Sequence, residues 1–207
     1  ENRMDQLLEI AEICKKQLGN QFLCLGHHSV SEVISNMLKA RGKTLALAES
    51  CTGGLISNTF TDISGSSEFF LGGIVSYSID AKQDLLDVPE GMIQQYTEVS
   101  QEVAVAMASG AAEKFESDYA LSITGYAGPS GGTAENPVGT VYIGLHSPRD
   151  IWAKRFQWKA SRASIKVRAL NAALDLLRNE LIAANSADDG ANQDLHKEAN
   201  NILKSLS

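Results

Sequence analysis

Between residues 44 and 60 a short apolar run, TLALA, leads directly into the small, polar stretch ESCTGG. Leu55, Ile56 and Phe60 follow at helical intervals. A run of this length is too short for a core helix and matches a strand buried on both faces. The sequence therefore predicts a buried strand that turns sharply into a helix, the repeating unit of an α/β sheet. Ser50 sits in the turn, where the free N–H groups of a starting helix point outward.

The remaining segments fit around that unit. Residues 3–18 carry Leu7, Leu8, Ala11, Cys14 and Leu18 on one helical face, and Phe22–Leu25 reads as a short strand. Ser29 with Glu32 three residues on forms a capping box for a helix carrying Val33, Ile34, Met37 and Leu38 and ending at Gly42. Leu71–Tyr77 reads as a strand, Ala81–Leu86 as a short helix, and Pro89 as a first-turn residue of a helix near 90–96. An alanine-rich helix is expected from Ser100 to about Phe115, and a strand from Asp118 to Thr124. Residues 139–146 and 151–158 flank Ser147-Pro148-Arg149-Asp150 as a hairpin. A long helix follows from about Ser161 to Ala184. Strands alternating with helices, with one embedded hairpin, predict a three-layer α/β/α domain with a mixed, mostly parallel sheet. The expected organisation is an N-terminal extension at 1–28, the domain at 29–184 and a polar tail at 185–207 with at most one loosely attached helix.

Composition narrows the function classes. A formal charge of -7 argues against a non-specific nucleic-acid binder, while leaving room for a local basic pocket. No run approaches the roughly 20 apolar residues of a membrane span, and the first residues lack the basic-then-apolar layout of a signal peptide, so a cytoplasmic, membrane-free protein is expected. Cys14, Cys24 and Cys51 are too irregularly spaced for a disulfide framework or a zinc site and are read as reduced. His27, His28, His146 and His196 have no ligand spacing, and GxxxxGK[ST], GxGxxG after a strand, HExxH and CxxC are all missing.

Ser50 is the sharpest candidate for chemistry. Donors from Cys51, Thr52 and Gly53 could face a developing oxyanion, and Gly53 and Gly54 leave room for a substrate against the backbone. Helix capping by Ser50 or Thr52 accounts for the same pattern without chemistry. A serine nucleophile needs a base, and no histidine is suitably placed, which leaves a carboxylate or a lysine neutralised by burial. Lys82 lies just past the strand 71–77, at the sheet edge where open α/β folds bind ligands, with Tyr77 at the same edge. Gly125, Gly128, Gly131 and Gly132 follow the strand ending at Thr124 and could form an anion nest with the hydroxyls of Thr124 and Thr133, or simply a flexible connection. Arg162 and Arg168, near the start of the last helix, could pair with a phosphate or lie exposed on its surface.

These segments occur together in one pattern: TLALAESCTGG at 44–54, LGGIVSYSIDAK at 71–82 and TGYAGPSGGTAENPVGTV at 124–141. Over residues 29–182 the chain resembles the CinA C-terminal family, the nicotinamide-nucleotide amidases. The resemblance implies hydrolysis of nicotinamide mononucleotide to nicotinate mononucleotide and ammonia, without metal or other cofactor, in pyridine-nucleotide recycling. It assigns Ser50 as nucleophile, Tyr77 and Lys82 as the tyrosine and lysine of the SYSxxAK motif, and Thr124 as a residue holding the substrate or the lysine. Association into a homo-oligomer is expected by the same likeness. Residues 3–28 resemble the end of the segment that precedes this domain in full-length CinA (competence/damage-inducible) proteins. With the opening Glu1-Asn2-Arg3, this suggests a piece of a two-part protein that also carries a molybdopterin-binding-like domain, the alternative being a stand-alone amidase with its own N-terminal extension. Two positions depart from the pattern: Ala160-Ser161-Arg162 stands where Gly-Asp-Arg is usual, and Asn136 where lysine is common. The alternative reading is a pyridine-nucleotide-binding regulatory module that does not turn its ligand over; an amidase or esterase with another small substrate is a third.

Overall fold

The computed structural model describes residues 3–21, 23 and 28–205. They fall into two compact units, one of residues 29–177 and the other of residues 1–28 with 178–207. The smaller unit contains helix α1 (Arg3–Leu18), a single 3-10 turn after it, and the later part of the last helix. The strand expected at Phe22–Leu25 lies, apart from Leu23, outside the described residues, as do Cys24 and His27.

The larger unit follows the predicted order: α2 (Val30–Ala40), β1 (Leu45–Glu49), α3 (Leu55–Thr61), β2 (Phe70–Val75), α4 (Ile79–Leu86), α5 (Glu90–Tyr96), α6 (Gln101–Phe115), β3 (Tyr119–Gly125), β4 (Thr140–His146), β5 (Ile151–Gln157) and the start of α7 (Arg162–Ser205). The capping box is formed: Ser29 Oγ accepts from the Glu32 N–H and Glu32 accepts from the Ser29 N–H. Pro89 stands one residue ahead of its helix, as N-cap of α5.

The sheet order is β2-β1-β3-β4-β5. β1 pairs parallel with β2 and β3, whereas β3–β4 and β4–β5 are antiparallel. Four strands therefore point one way and β4 alone is reversed, giving the mixed sheet that the embedded hairpin implied. β1 is buried throughout. Ala46, Ala48 and Ala120 pack with Val103, Met107 and Leu86 of the helices on one face. On the opposite face of β1, Leu47 and Ser57 of α3 both crowd the space that a Cβ on Gly73 of β2 would take. Small residues on β1 and β3 let α6 lie close to the sheet.

The last helix departs from expectation. It continues through the polar stretch after Asn185 to Ser205. Residues 185–205 are acidic and amide-rich, which suggested a tail, but they contain no proline and include Ala, Gln, Leu, Lys and Glu, which propagate a helix readily.

One glycine shows how tight the packing is. A Cβ on Gly110 of α6 would collide with the Leu86 carbonyl oxygen at the end of α4. Helix propensity alone would make Gly110→Ala stabilising by about 1 kcal/mol. Because a backbone oxygen cannot swing aside, the substitution is instead expected to destabilise by about 1–3 kcal/mol. A lower urea midpoint at unchanged slope is the predicted result, and a raised midpoint would contradict this packing.

Candidate active site

The three parallel strands end side by side, and their continuations build the site. The Ser50 N–H donates to the Ile123 carbonyl at 2.9 Å, and the Ser76 N–H donates to the Glu49 carbonyl at the same distance. Ser50, Ser76 and Thr124 thus emerge at one edge of the sheet. Beyond Ser76 the chain enters α4, capped by the Ser78 hydroxyl, which accepts from the Ala81 N–H. Lys82, one turn in, folds back toward that edge.

Lys82 is the central finding. Its side chain is 1% exposed, yet it reaches no carboxylate within ion-pair distance among the described residues. Nζ instead donates to the Ser76 carbonyl at 2.9 Å and lies 3.2 Å from Ser50 Oγ. Burial lowers its pKa below the ordinary lysine value of 10.5, and the nearby Glu98 charge opposes that shift. A neutral amine in hydrogen-bond contact with a serine hydroxyl can take its proton. The neighbouring thiol offers no competing nucleophile, because burial pushes Cys51 up to about 11 and keeps it protonated.

The turn after Ser50 depends on Glu49, which sequence reasoning overlooked. Its fully buried carboxylate accepts from the N–H groups of Gly54 and Ile56 at 3.1 Å, from Ser57 N–H at 2.8 Å and from the Ser57 hydroxyl at 2.7 Å. It satisfies the first donors of α3 from within the chain. Gly53 N–H donates to the Ser50 carbonyl at 3.1 Å, so this expected oxyanion donor is committed to the turn. Gly54, with φ 91, is the helix cap with its N–H on Glu49. Among the described residues the N–H groups of Cys51 and Thr52 take no backbone acceptor. Of these two residues Cys51 lines the cavity described next, whereas Thr52 is fully buried and stands outside its lining.

A cavity of about 170 Å³ opens here, with Ser50, Lys82 and Cys51 at its floor and Tyr77, Thr124 and Arg162 around them. Arg162 donates to the Tyr77 hydroxyl at 2.8 Å and to the Gly128 carbonyl at 2.9 Å, tying the start of α7 across the mouth. Thr124 donates to the Glu98 carbonyl at 2.8 Å rather than to the lysine. Gly125 lines the cavity. Gly131, Gly132 and Thr133 do not; Thr133 closes a turn with Asn136, its N–H on the Asn136 carbonyl and its hydroxyl accepting from the Asn136 N–H. Arg168 is exposed on α7 and stands outside the lining. Glu98 and Tyr126 also face the cavity and were missed, since a loop glutamate and a tyrosine inside a glycine-rich segment carry no periodic signal. No group of three or more His, Cys, Asp or Glu able to hold a metal occurs among the described residues, and no described helix is long and apolar enough to cross a membrane.

The sequence model of the CinA C-terminal domain matches residues 27–181. A CinA-like protein of Desulfotalea psychrophila is 48% identical over 168 residues, 81% of this chain and 41% of that protein. One from Geotalea uraniireducens is 43% identical over 182 residues, 88% of this chain and 43% of that protein. The chain thus spans less than half the length of these curated relatives. Among solved structures, a competence-damaged protein (CinA) superfamily protein of Klebsiella pneumoniae superposes with a TM-score of 0.71 at 28% identity, covering 75% of this chain and 99% of that one. A competence/damage inducible protein of Agrobacterium tumefaciens gives 0.66 at 32% identity, covering 78% and 99%.

The lowered Lys82 pKa has a stability consequence with a definite sign. Between its folded value and about 10.5 the unfolded chain binds a proton at Lys82 that the folded chain does not, so stability from this site rises with pH. Lys82→Met removes that dependence. The wild type is expected to gain on Lys82→Met in urea midpoint as pH rises from 7 toward 10; a difference that stays flat or shrinks would show that Lys82 is not depressed.

Proposed function

The chain belongs to the CinA C-terminal domain family, and on that footing we propose that it is a serine-type amidase that hydrolyses the carboxamide of nicotinamide mononucleotide. The observation that carries this reading is the 3.2 Å approach of a buried lysine to Ser50 Oγ. A binding module has no use for a desolvated amine against a hydroxyl.

In this reading neutral Lys82 takes the Ser50 proton as Oγ attacks the carboxamide carbon, and the carbonyl oxygen turns toward the Cys51 N–H. The tetrahedral adduct collapses with cleavage of the C–N bond. Lys82 passes its proton to the departing nitrogen, which leaves as ammonia, and an ester on Ser50 remains. Water then attacks the ester with Lys82 again as base, and Ser50 recovers its proton as the acid departs. The Ser76 carbonyl holds the amine throughout and keeps its lone pair toward the hydroxyl. Arg162 is suited to the nucleotide phosphate, and Tyr77, whose oxygen already accepts from Arg162, keeps its own proton available for the substrate.

The test is ammonia release from nicotinamide mononucleotide by the purified chain. Turnover is expected for the wild type, with Ser50→Ala and Lys82→Ala each lowering kcat by roughly 10³-fold or more. Saturable binding with no ammonia from any of the three proteins would overturn the reading in favour of a nucleotide-sensing module. Arg162→Ala is expected to raise KM about tenfold while kcat stays within a few-fold, measured in the same assay; an unchanged KM would remove Arg162 from phosphate binding.

A further inference from the structure

Glu98 is the only carboxylate among the residues lining the cavity, and the scheme above gives it no task. Its position is nonetheless closely determined. Tyr126 donates from its hydroxyl to one carboxylate oxygen at 3.0 Å, and burial together with that bond pushes the phenol up to about 12, so it remains a donor. Thr124 donates to the Glu98 carbonyl at 2.8 Å. The other carboxylate oxygen accepts nothing among the described residues, and no lysine or arginine lies within ion-pair distance.

The residue before it is strained. Thr97 has φ 67 and ψ 164, a region essentially reserved for glycine and costly for a β-branched side chain. Such a conformation persists only where its surroundings hold it. Here the Thr97 N–H donates to the Ile93 carbonyl at 2.9 Å, and the Ser100 hydroxyl donates to the Thr97 carbonyl at 3.1 Å. The strained link carries the chain from α5 into α6 with Glu98 turned to the cavity. This costs stability, and keeping Glu98 close to Lys82 also opposes the neutrality that the base requires.

We propose that Glu98 is the specificity-determining residue of the site, its half-paired carboxylate selecting carboxamides borne on a positively charged aromatic ring. The assignment rests on the amidase reading, whose substrate carries such a ring, and names the residue that would recognise its charge. In a cavity of about 170 Å³, a carboxamide presented to Ser50 brings its ring into the same confined space as Glu98. There a partly desolvated negative charge favours a cation over a neutral ring of the same shape. The ring charge also withdraws electrons from the carbonyl, so the group that Glu98 recognises is the group that makes the amide reactive.

The experiment compares nicotinamide mononucleotide with its dihydro form, which carries the same ribose phosphate on an uncharged ring. Binding of each is measured by calorimetry on the full chain carrying Ser50→Ala, which prevents turnover. That protein is expected to bind the cation about tenfold more tightly than the dihydro form. Adding Glu98→Gln, which keeps a hydrogen-bond acceptor for Tyr126, is expected to abolish the preference by weakening the cation while changing the dihydro form less than about twofold. A preference that survives Glu98→Gln overturns the proposal. Should that variant fail to fold, lack of any cation preference in the Ser50→Ala protein overturns it equally. Ammonia release by the wild type alongside a preference indifferent to Glu98 defeats this assignment alone. A Glu98-dependent preference without ammonia defeats the amidase reading and keeps for Glu98 only the discrimination of ring charge in binding.

Discussion

A primary amine with almost no exposure and no carboxylate in contact is the constraint around which this site is arranged. Burying a charged ammonium without a counter-ion costs more than one hydrogen bond returns, so burial lowers the pKa of this amine below the ordinary lysine value. The Ser76 carbonyl and the Ser50 hydroxyl are partners a neutral amine can satisfy, one as acceptor and the other as acceptor or donor. The contact spans 32 residues of sequence. It exists because β1 and β2 are adjacent and parallel, ending together, so that the turn after one strand faces the helix after the other. The sheet order thus acts directly on the chemistry.

The opposite solution stands next to it. Glu49 is buried as completely as Lys82, yet three N–H groups and a hydroxyl surround its carboxylate. The two residues are not paired; each is satisfied by local backbone. Glu49 takes the donors at the start of α3 and the Ser50 carbonyl takes that of Gly53, which leaves Ser50 and Cys51 as the residues of the turn that line the cavity. Breaking the Glu49 cluster would leave several buried donors without acceptors, each costing about 1–3 kcal/mol. For that reason the turn at Ser50 and the stability of α3 belong to one cooperative unit.

Much of this was legible in the sequence because the informative signals are local. The apolar run at 44–48, the capping box at Ser29 and Glu32, and the turn residues at 147–150 each specify their own conformation within a few residues. Lys82 could be proposed as a base from its place after a strand, but its distance from Ser50 could not, since that depends on strand order. Glu98 escaped notice because its role comes from a strained neighbour and a hydroxyl 28 residues away. The glycine-rich segment is less legible: the Thr133 N–H and hydroxyl engage the Asn136 backbone, and Gly132 packs against the backbone at Pro137 and Val138, so that part of the loop is a folded turn outside the cavity lining. The last helix outran its expected end because polarity was read as a tail, whereas polarity does not oppose a helix when proline is missing.

The account stands on the protonation state of one amine. A nitrogen-15 NMR titration of the Lys82 ammonium in the intact chain reports that state without substrate or turnover. The account predicts that Lys82 loses its proton well below the other lysines, and that substituting Glu98 by glutamine moves its midpoint lower still. A Lys82 that titrates with the exposed lysines near 10.5 would contradict it.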